Sequence, residues 1–230
     1  PNGLKDKAQM NNYMEQRTRL QYIAKASDDL KLVTHFEINN RFGRANTVTT
    51  AQGATIDMGG NDLDTDGLNI VTKHAYLDFN VGKSFNAKLG LMPYKDTLKG
   101  IFIDADVPAV VATTKAGAYT LGLGFSRFAD LGGTTGNTAR IGDRNADLFI
   151  MDNIFAINKD TKAALSYYFL ANYTTDQAAL VHTLGLSGET KVGPVALSGF
   201  AAMQAGHQKL SGTGAGLNKT SKQFHGCRPR

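Results

Sequence analysis

Asp62, Asp64 and Asp66, followed by Gly67, repeat the alternation of carboxylates with which a calcium loop opens, where oxygen ligands wrap a hard cation. The position at which such a loop closes with a bidentate glutamate holds Lys73, and the segment runs into a strand pattern instead of a helix. An acidic surface loop is therefore the competing reading. Gly212 to Thr220 has the outline of a phosphate-binding loop, but Asn218 stands where a glycine must precede the lysine. His35, His74, His182, His207 and His225 are scattered without metal-ligand spacing. No His-x-Ser pair shares a strand face, as serine activation by a neighbouring base would need. The one cysteine, Cys227, leaves no disulfide within the chain. These residues together predict no catalytic site and no cofactor, so the chain reads as a non-enzyme.

A different set of charges falls into register. In the first two alternating segments, Arg17 and Arg19 share one face with Glu15. Lys31, His35, Glu37 and Arg41 share one face of the next segment, and His74, Asp78 and Lys88 continue the series. Basic groups outnumber acidic ones in this set. If the face lines a water-filled passage, the excess favours anions, since rings of one charge bias what passes. The alternative is that the charges pair across strands and only solvate the interior.

Those faces require strands. From Glu15 to Ala26 and from Leu30 to Phe42 the side chains alternate with period two, Leu32, Phe36 and Ile38 opposing Lys31, Glu37 and Asn39. The rhythm recurs through Ala75, Leu77 and Phe79, then Ala87, Leu89 and Leu91, and in segments near Ile101 to Thr113, Ala118 to Phe128, Ala146 to Ile157, Lys162 to Tyr173, Ala179 to Glu189 and Val195 to Ala205. Pro108 predicts a bulge or bend, because it cannot donate to a ladder. Asp152 and Asn153 are adjacent, so parity alone leaves the faces of their segment open.

Connections alternate short and long along the chain, from Ala26 to Asp29 and Gly43 to Gly67 through to Thr190 to Gly193 and Gly206 to Lys219. Tight turns on one edge and long loops on the other are the layout of an antiparallel up-and-down transmembrane β-barrel, whose strands average to a soluble-looking hydropathy. No stretch approaches the roughly 20 apolar residues of a membrane helix. Aromatics gather near strand ends: Phe79, Phe85 and Tyr119 by the turns, Phe42, Phe125, Phe128 and Tyr173 by the loops, as interfacial girdles would. Net charge is +5 with the basic residues dispersed, which argues against nucleic-acid binding.

The runs from Glu15 to Tyr22, Lys73 to Phe79 and Lys88 to Tyr94 resemble strands of Gram-negative outer-membrane porins of the alginate-export and phosphate-selective type. The resemblance extends over about Asn12 to Ala205 and implies a larger barrel with passive diffusion of small hydrophilic solutes. It also implies an outer-membrane location, contact with lipid and room for a homo-oligomer. Residues 1–230 are expected to form one barrel domain of which both ends are missing: about 1–12 loop, 13–205 ten strands, and 206–230 loop and aborted strand. A polysaccharide exporter, a barrel hydrolase and a soluble carbohydrate- or protein-binding β-sandwich are the alternatives.

Overall fold

The computed structural model describes residues 12–43, 47–49, 55–57, 70–132, 142–174, 178–209 and 218–225, with the backbone alone at 47–49, 55–57, 208–209 and 218–225. It is all β. Its strands are β1 (Glu15–Lys25), β2 (Leu30–Arg41), β3 (Thr47–Thr49), β4 (Thr55–Asp57), β5 (Ile70–Val81), β6 (Phe85–Lys95), β7 (Asp104–Ala116), β8 (Tyr119–Asp130), β9 (Asn145–Ala156), β10 (Thr161–Asn172), β11 (Ala179–Val192), β12 (Val195–Lys209) and β13 (Asn218–His225). Among the described residues no helix is long and apolar enough to cross a membrane.

One sheet takes β1, β2 and β5 to β13 in chain order, while β3 and β4 pair separately. The pairings from β5 to β13 are all antiparallel, so the sheet is an up-and-down meander, as the alternating segments predict. The chain divides into two compact units, Pro1–Tyr22 with Thr34–Lys73, and Ile23–Val33 with His74–Arg230. The first contains most of β1 and β2 together with the β3–β4 pair; the second contains the turn that joins β1 to β2 and the long meander.

The short connections are tight turns, and three of them hold a left-handed glycine, Gly82 at φ +64° among them. Gly117 and Gly193 both sit at φ +60°, a left-handed conformation that a side chain disfavours. The sequence reading departs from the structure at several points: β3 and β4 pair within the expected Gly43 to Gly67 loop, and β12 runs on to Lys209. Ile101 to Ile103 do not begin β7, because the N–H groups of Phe102 and Ile103 point to the Asp96 carboxylate instead of to a ladder. Pro108 forms no bulge: β6 and β7 stay in register through Leu91 and Pro108, and the irregularity lies one strand on, between Arg127 and Ala129.

Register sorts the long meander into two faces. On one, a row runs Phe79, Ala87, Ala112, Leu123, Met151, Tyr167, Leu184 and Met203 across eight strands. Across the same strands, β5 to β12, the parallel rows through Phe149, Asn153 and Phe155, like this one, contain no Asp, Glu, Lys or Arg. Phe149 and Phe155 lie six residues apart, so the uncharged band is roughly 20 Å deep along the strand. Its large side chains are bare: Leu123 is 48% exposed and Phe149 47%. Leu32 and Leu77, assigned to the apolar face from parity, are likewise exposed.

The opposite face is polar where it is open and packed where it is covered. Leu148, Ile150 and Tyr168 are buried on it beneath Leu98, with Tyr94, Phe102, Ile103 and Phe200 around them. Asp152 belongs to this covered face and Asn153 to the bare one, which resolves the parity of β9.

Candidate functional site: the covered wall and the charged ladders

The connection from Asp96 to Ile103 is a strap laid across β9, β10 and β11. Its shape is set locally. The Asp96 carboxylate accepts from the N–H groups of Gly100 (3.0 Å), Phe102 (2.8 Å) and Ile103, and the Asp96 N–H donates to the Ile103 carbonyl at 3.0 Å. Lys99 turns the chain at φ +68°, uncommon for a residue with a side chain. A residue that short and acidic, satisfied by three backbone donors, closes the loop on itself before any wall contact is made.

The strap is then fastened to the wall. Leu98, 2% exposed, fills the space above Gly185, where an added Cβ would lie 2.5 Å from its side chain. Phe102 stacks on Tyr168 with ring centroids 5.1 Å apart. Below them runs a hydroxyl and carboxylate network. Tyr94 donates to Asp152 Oδ2 at 3.0 Å and Tyr168 to Oδ1 at 2.8 Å. Thr97 N–H donates to the Tyr168 hydroxyl at 3.3 Å, and Thr97 Oγ1 lies 2.5 Å from Ser166 Oγ. Buried polar groups persist only when paired, and this set pairs internally. At the strap's far side Lys99 meets Glu189 at 2.9 Å, with Lys162 3.8 Å from the same carboxylate. A cavity of about 430 Å³ opens beside this group, walled by Lys95, Thr97, Lys162, Ser187 and Glu189.

The charged residues singled out from the sequence form two ladders, one in each unit. In the first unit, Arg19 Nε bonds Glu37 Oε2 at 2.7 Å, Arg17 lies 3.6 Å from Glu37 Oε1 and bonds Asn39 at 2.7 Å, and Arg41 bonds Glu15 at 2.7 Å. His35 stands on the Glu37 face of β2 by parity. In the second unit, Lys31 meets Asp78 at 3.2 Å, Asn86 donates to Asp78 at 2.7 Å, and Lys88 is Asp78's register partner. Lys88 Nζ also lies 5.9 Å from the Tyr76 ring centre, and His74 Nε2 is 2.9 Å from Asp106. Within each unit these ion pairs join residues of neighbouring strands. The excess of positive charge is largely matched by carboxylates on the same faces. Among the described residues no cluster has the makings of a metal site. Asp62, Asp64 and Asp66 lie outside the described residues, as do Gly212 to Leu217.

Sequence reasoning missed the strap and its anchors Tyr94, Thr97, Ser166 and Tyr168. One signal was available: Leu98, Ile101, Phe102 and Ile103 are a dense apolar group for a connection that should be solvated.

The bare face carries its aromatics in two tiers. Toward the loop edge Phe125, Phe149 and Phe169 stand side by side, with neighbouring centroids 5.3 and 6.0 Å apart, and His182 stacks on Phe169 at 4.6 Å while bonding the Tyr167 hydroxyl at 2.7 Å. Toward the turn edge Tyr119 packs on Phe155 at 5.1 Å and donates to Asn153 at 2.7 Å. Above the loop-side tier the first charged pair occurs, Arg127 with Asp147 at 2.8 Å.

No protein-family model matches this sequence, and a search of curated proteins returns no match. Among solved structures the chain is similar to OmpTdeltaL8, a loop L8 deletion mutant of OmpT, an outer membrane protein of Vibrio cholerae. The TM-score is 0.42 at 12% sequence identity, covering 91% of this chain and 84% of that chain.

Proposed function

We propose that this chain is part of a Gram-negative outer-membrane β-barrel of porin type, whose function is passive diffusion of small hydrophilic solutes and which catalyses no reaction. The observation that carries the reading is the bare face: across β5 to β12, a band roughly 20 Å deep holds exposed apolar side chains and no Asp, Glu, Lys or Arg. Water penalises such a surface and lipid does not. Aromatic tiers at both margins of the band, several with a polar handle, suit the headgroup level on either side.

The opposite face is then the wall of a passage. Its ladder of paired charge, Lys31 with Asp78, presents water with polar groups, and the strap narrows the space over β9 to β11. Because most cations have a carboxylate beside them, selection by charge is weak, with a slight anion preference left by the excess of Arg17, Arg19, Lys31, Arg41 and Lys88 over Glu15, Glu37 and Asp78. An exporter of acidic polysaccharide needs a dense arginine constriction, and the arginines described here, Arg17, Arg19, Arg41, Arg127 and Arg144, are few. Arg17, Arg19, Arg41 and Arg127 each have a carboxylate within 4 Å. A soluble β-sandwich would need a second sheet on the bare face.

The test is reconstitution of the full-length protein in planar bilayers. Discrete conductance steps, with a reversal potential in a salt gradient displaced slightly toward anions, are expected. A correctly folded, membrane-inserted protein that passes no ions would overturn the channel reading.

A further inference from the structure

We propose that Asp152 is the positioning residue that fastens the strap and so fixes the width of the passage. This rests on the porin reading for its functional consequence, while the fastening itself does not.

Three elements converge on this one carboxyl group. Asp152 stands on β9 and is 8% exposed. Tyr94, whose hydroxyl occupies Oδ2, is on the last turnless stretch of β6 from which the strap departs; Tyr168, whose hydroxyl occupies Oδ1, is on β10. The Tyr168 oxygen in turn accepts the N–H of Thr97, a backbone donor of the strap itself. Ser166, which meets Thr97 Oγ1, is the register partner of Asp152. A path of hydrogen bonds therefore leads from stem to wall to strap through Asp152.

Apart from the Thr97 and Ser166 hydroxyl pair, which ties the strap to the residue beside Asp152 on β10, the strap's other polar contacts cannot fasten it in the same way. Asp96 shapes the loop but bonds only the loop's own backbone. Lys99 with Glu189 is a partly exposed ion pair, a type of contact worth little in water. Leu98 and Phe102 bring apolar area, which holds the strap against the wall without fixing its register, since that attraction is non-directional. The carboxylate needs the hydroxyls as much as they need it, because a buried charge without donors is costly. Wall and strap are thereby coupled: moving the strap strips Asp152 of donors.

The experiment uses the full chain in a Cys227→Ser background carrying Leu98→Cys, a position that is closed to reagents when the strap is seated. Asp152→Leu is expected to raise the rate of maleimide labelling at position 98 at least tenfold. In liposome swelling it is expected to admit solutes of trisaccharide size several times faster than the parent. Adding Gly185→Cys, so that positions 98 and 185 close a disulfide across the contact, is expected to restore the parental permeation. Should Asp152→Leu fail to fold, Asp152→Asn and Tyr94→Phe remain, each removing part of the network, and labelling is expected to rise severalfold in both. A folded variant whose position 98 labels at the parental rate would overturn the proposal. Vesicles of the parent that admit no solute would count against the channel reading, while the labelling rates would still decide whether Asp152 fastens the strap.

Discussion

Two carboxylates on the same face of the long meander, equally buried, are used in opposite ways. Asp152 is held by two tyrosine hydroxyls, and the result is a fastened piece of chain: the strap, with Leu98 and Phe102 seated behind it. Asp78 is held by the Lys31 ammonium and the Asn86 amide, with Lys88 opposite, and none of the strap's described residues bonds it. Tyrosine hydroxyls packed against the wall replace the water that a buried carboxylate gives up, so a segment can close over it; an ammonium and an amide satisfy the other carboxylate from the strands themselves. The difference teaches that one β-wall can be packed in one sector and hydrated in another without any change in backbone.

The largest effect should follow from overfilling the packed sector. Gly185→Leu places a side chain where Leu98 now lies. We expect a loss of about 3 kcal/mol in the strap's attachment, from overpacking together with the lost burial of Leu98. Rapid proteolysis between residues 96 and 103 with the sheet intact is the measurement. If the strap survived that substitution unmoved, the two sectors would not differ as described. Next comes Phe102→Ala, which removes the ring stacked on Tyr168. A cost of about 2 to 3 kcal/mol is expected in thermal unfolding of the folded protein in detergent, and little change in ion selectivity.

The hydrated sector should answer differently. Asp78→Asn leaves Lys31 and Lys88 without their carboxylate, and the reversal potential in a tenfold salt gradient is expected to move toward anions by several millivolts at unchanged solute size limit. A change in size limit instead would mean that Asp78, too, holds a piece of chain. The smallest effect belongs to Lys95→Ala. Its ion pair with Asp104 is more than half exposed on both sides, and a stability change under about 1 kcal/mol is expected in the same unfolding assay.

Much of this was legible in the alternation of residues. Period two separates Leu32 and Phe36 from Lys31 and Glu37 because successive side chains of a strand point to opposite faces, so the meander, the two faces and the ladder residues could all be placed from local pattern. The strap could not. Its contacts join Thr97 to Tyr168 and Tyr94 to Asp152, residues more than fifty positions apart, and no periodicity reports such pairs. Parity also fails where two polar residues adjoin, as at Asp152 and Asn153, since each face of β9 then receives one polar group. Pro108 misled for a related reason: a missing N–H matters only where the ladder asks for it, and the break in register falls opposite, on β8.

The central claim is that the uncharged face of β9 meets lipid while its other face meets protein. The direct measurement is a nitroxide scan of residues 147 to 155 in the reconstituted protein, reading collision rates with oxygen, which concentrates in hydrocarbon, and with a water-soluble nickel chelate. The account predicts oxygen accessibility at Phe149, Met151 and Phe155, and low accessibility to both reagents at Leu148, Ile150 and Asp152. High nickel accessibility at Phe149, Met151 and Phe155 would contradict it.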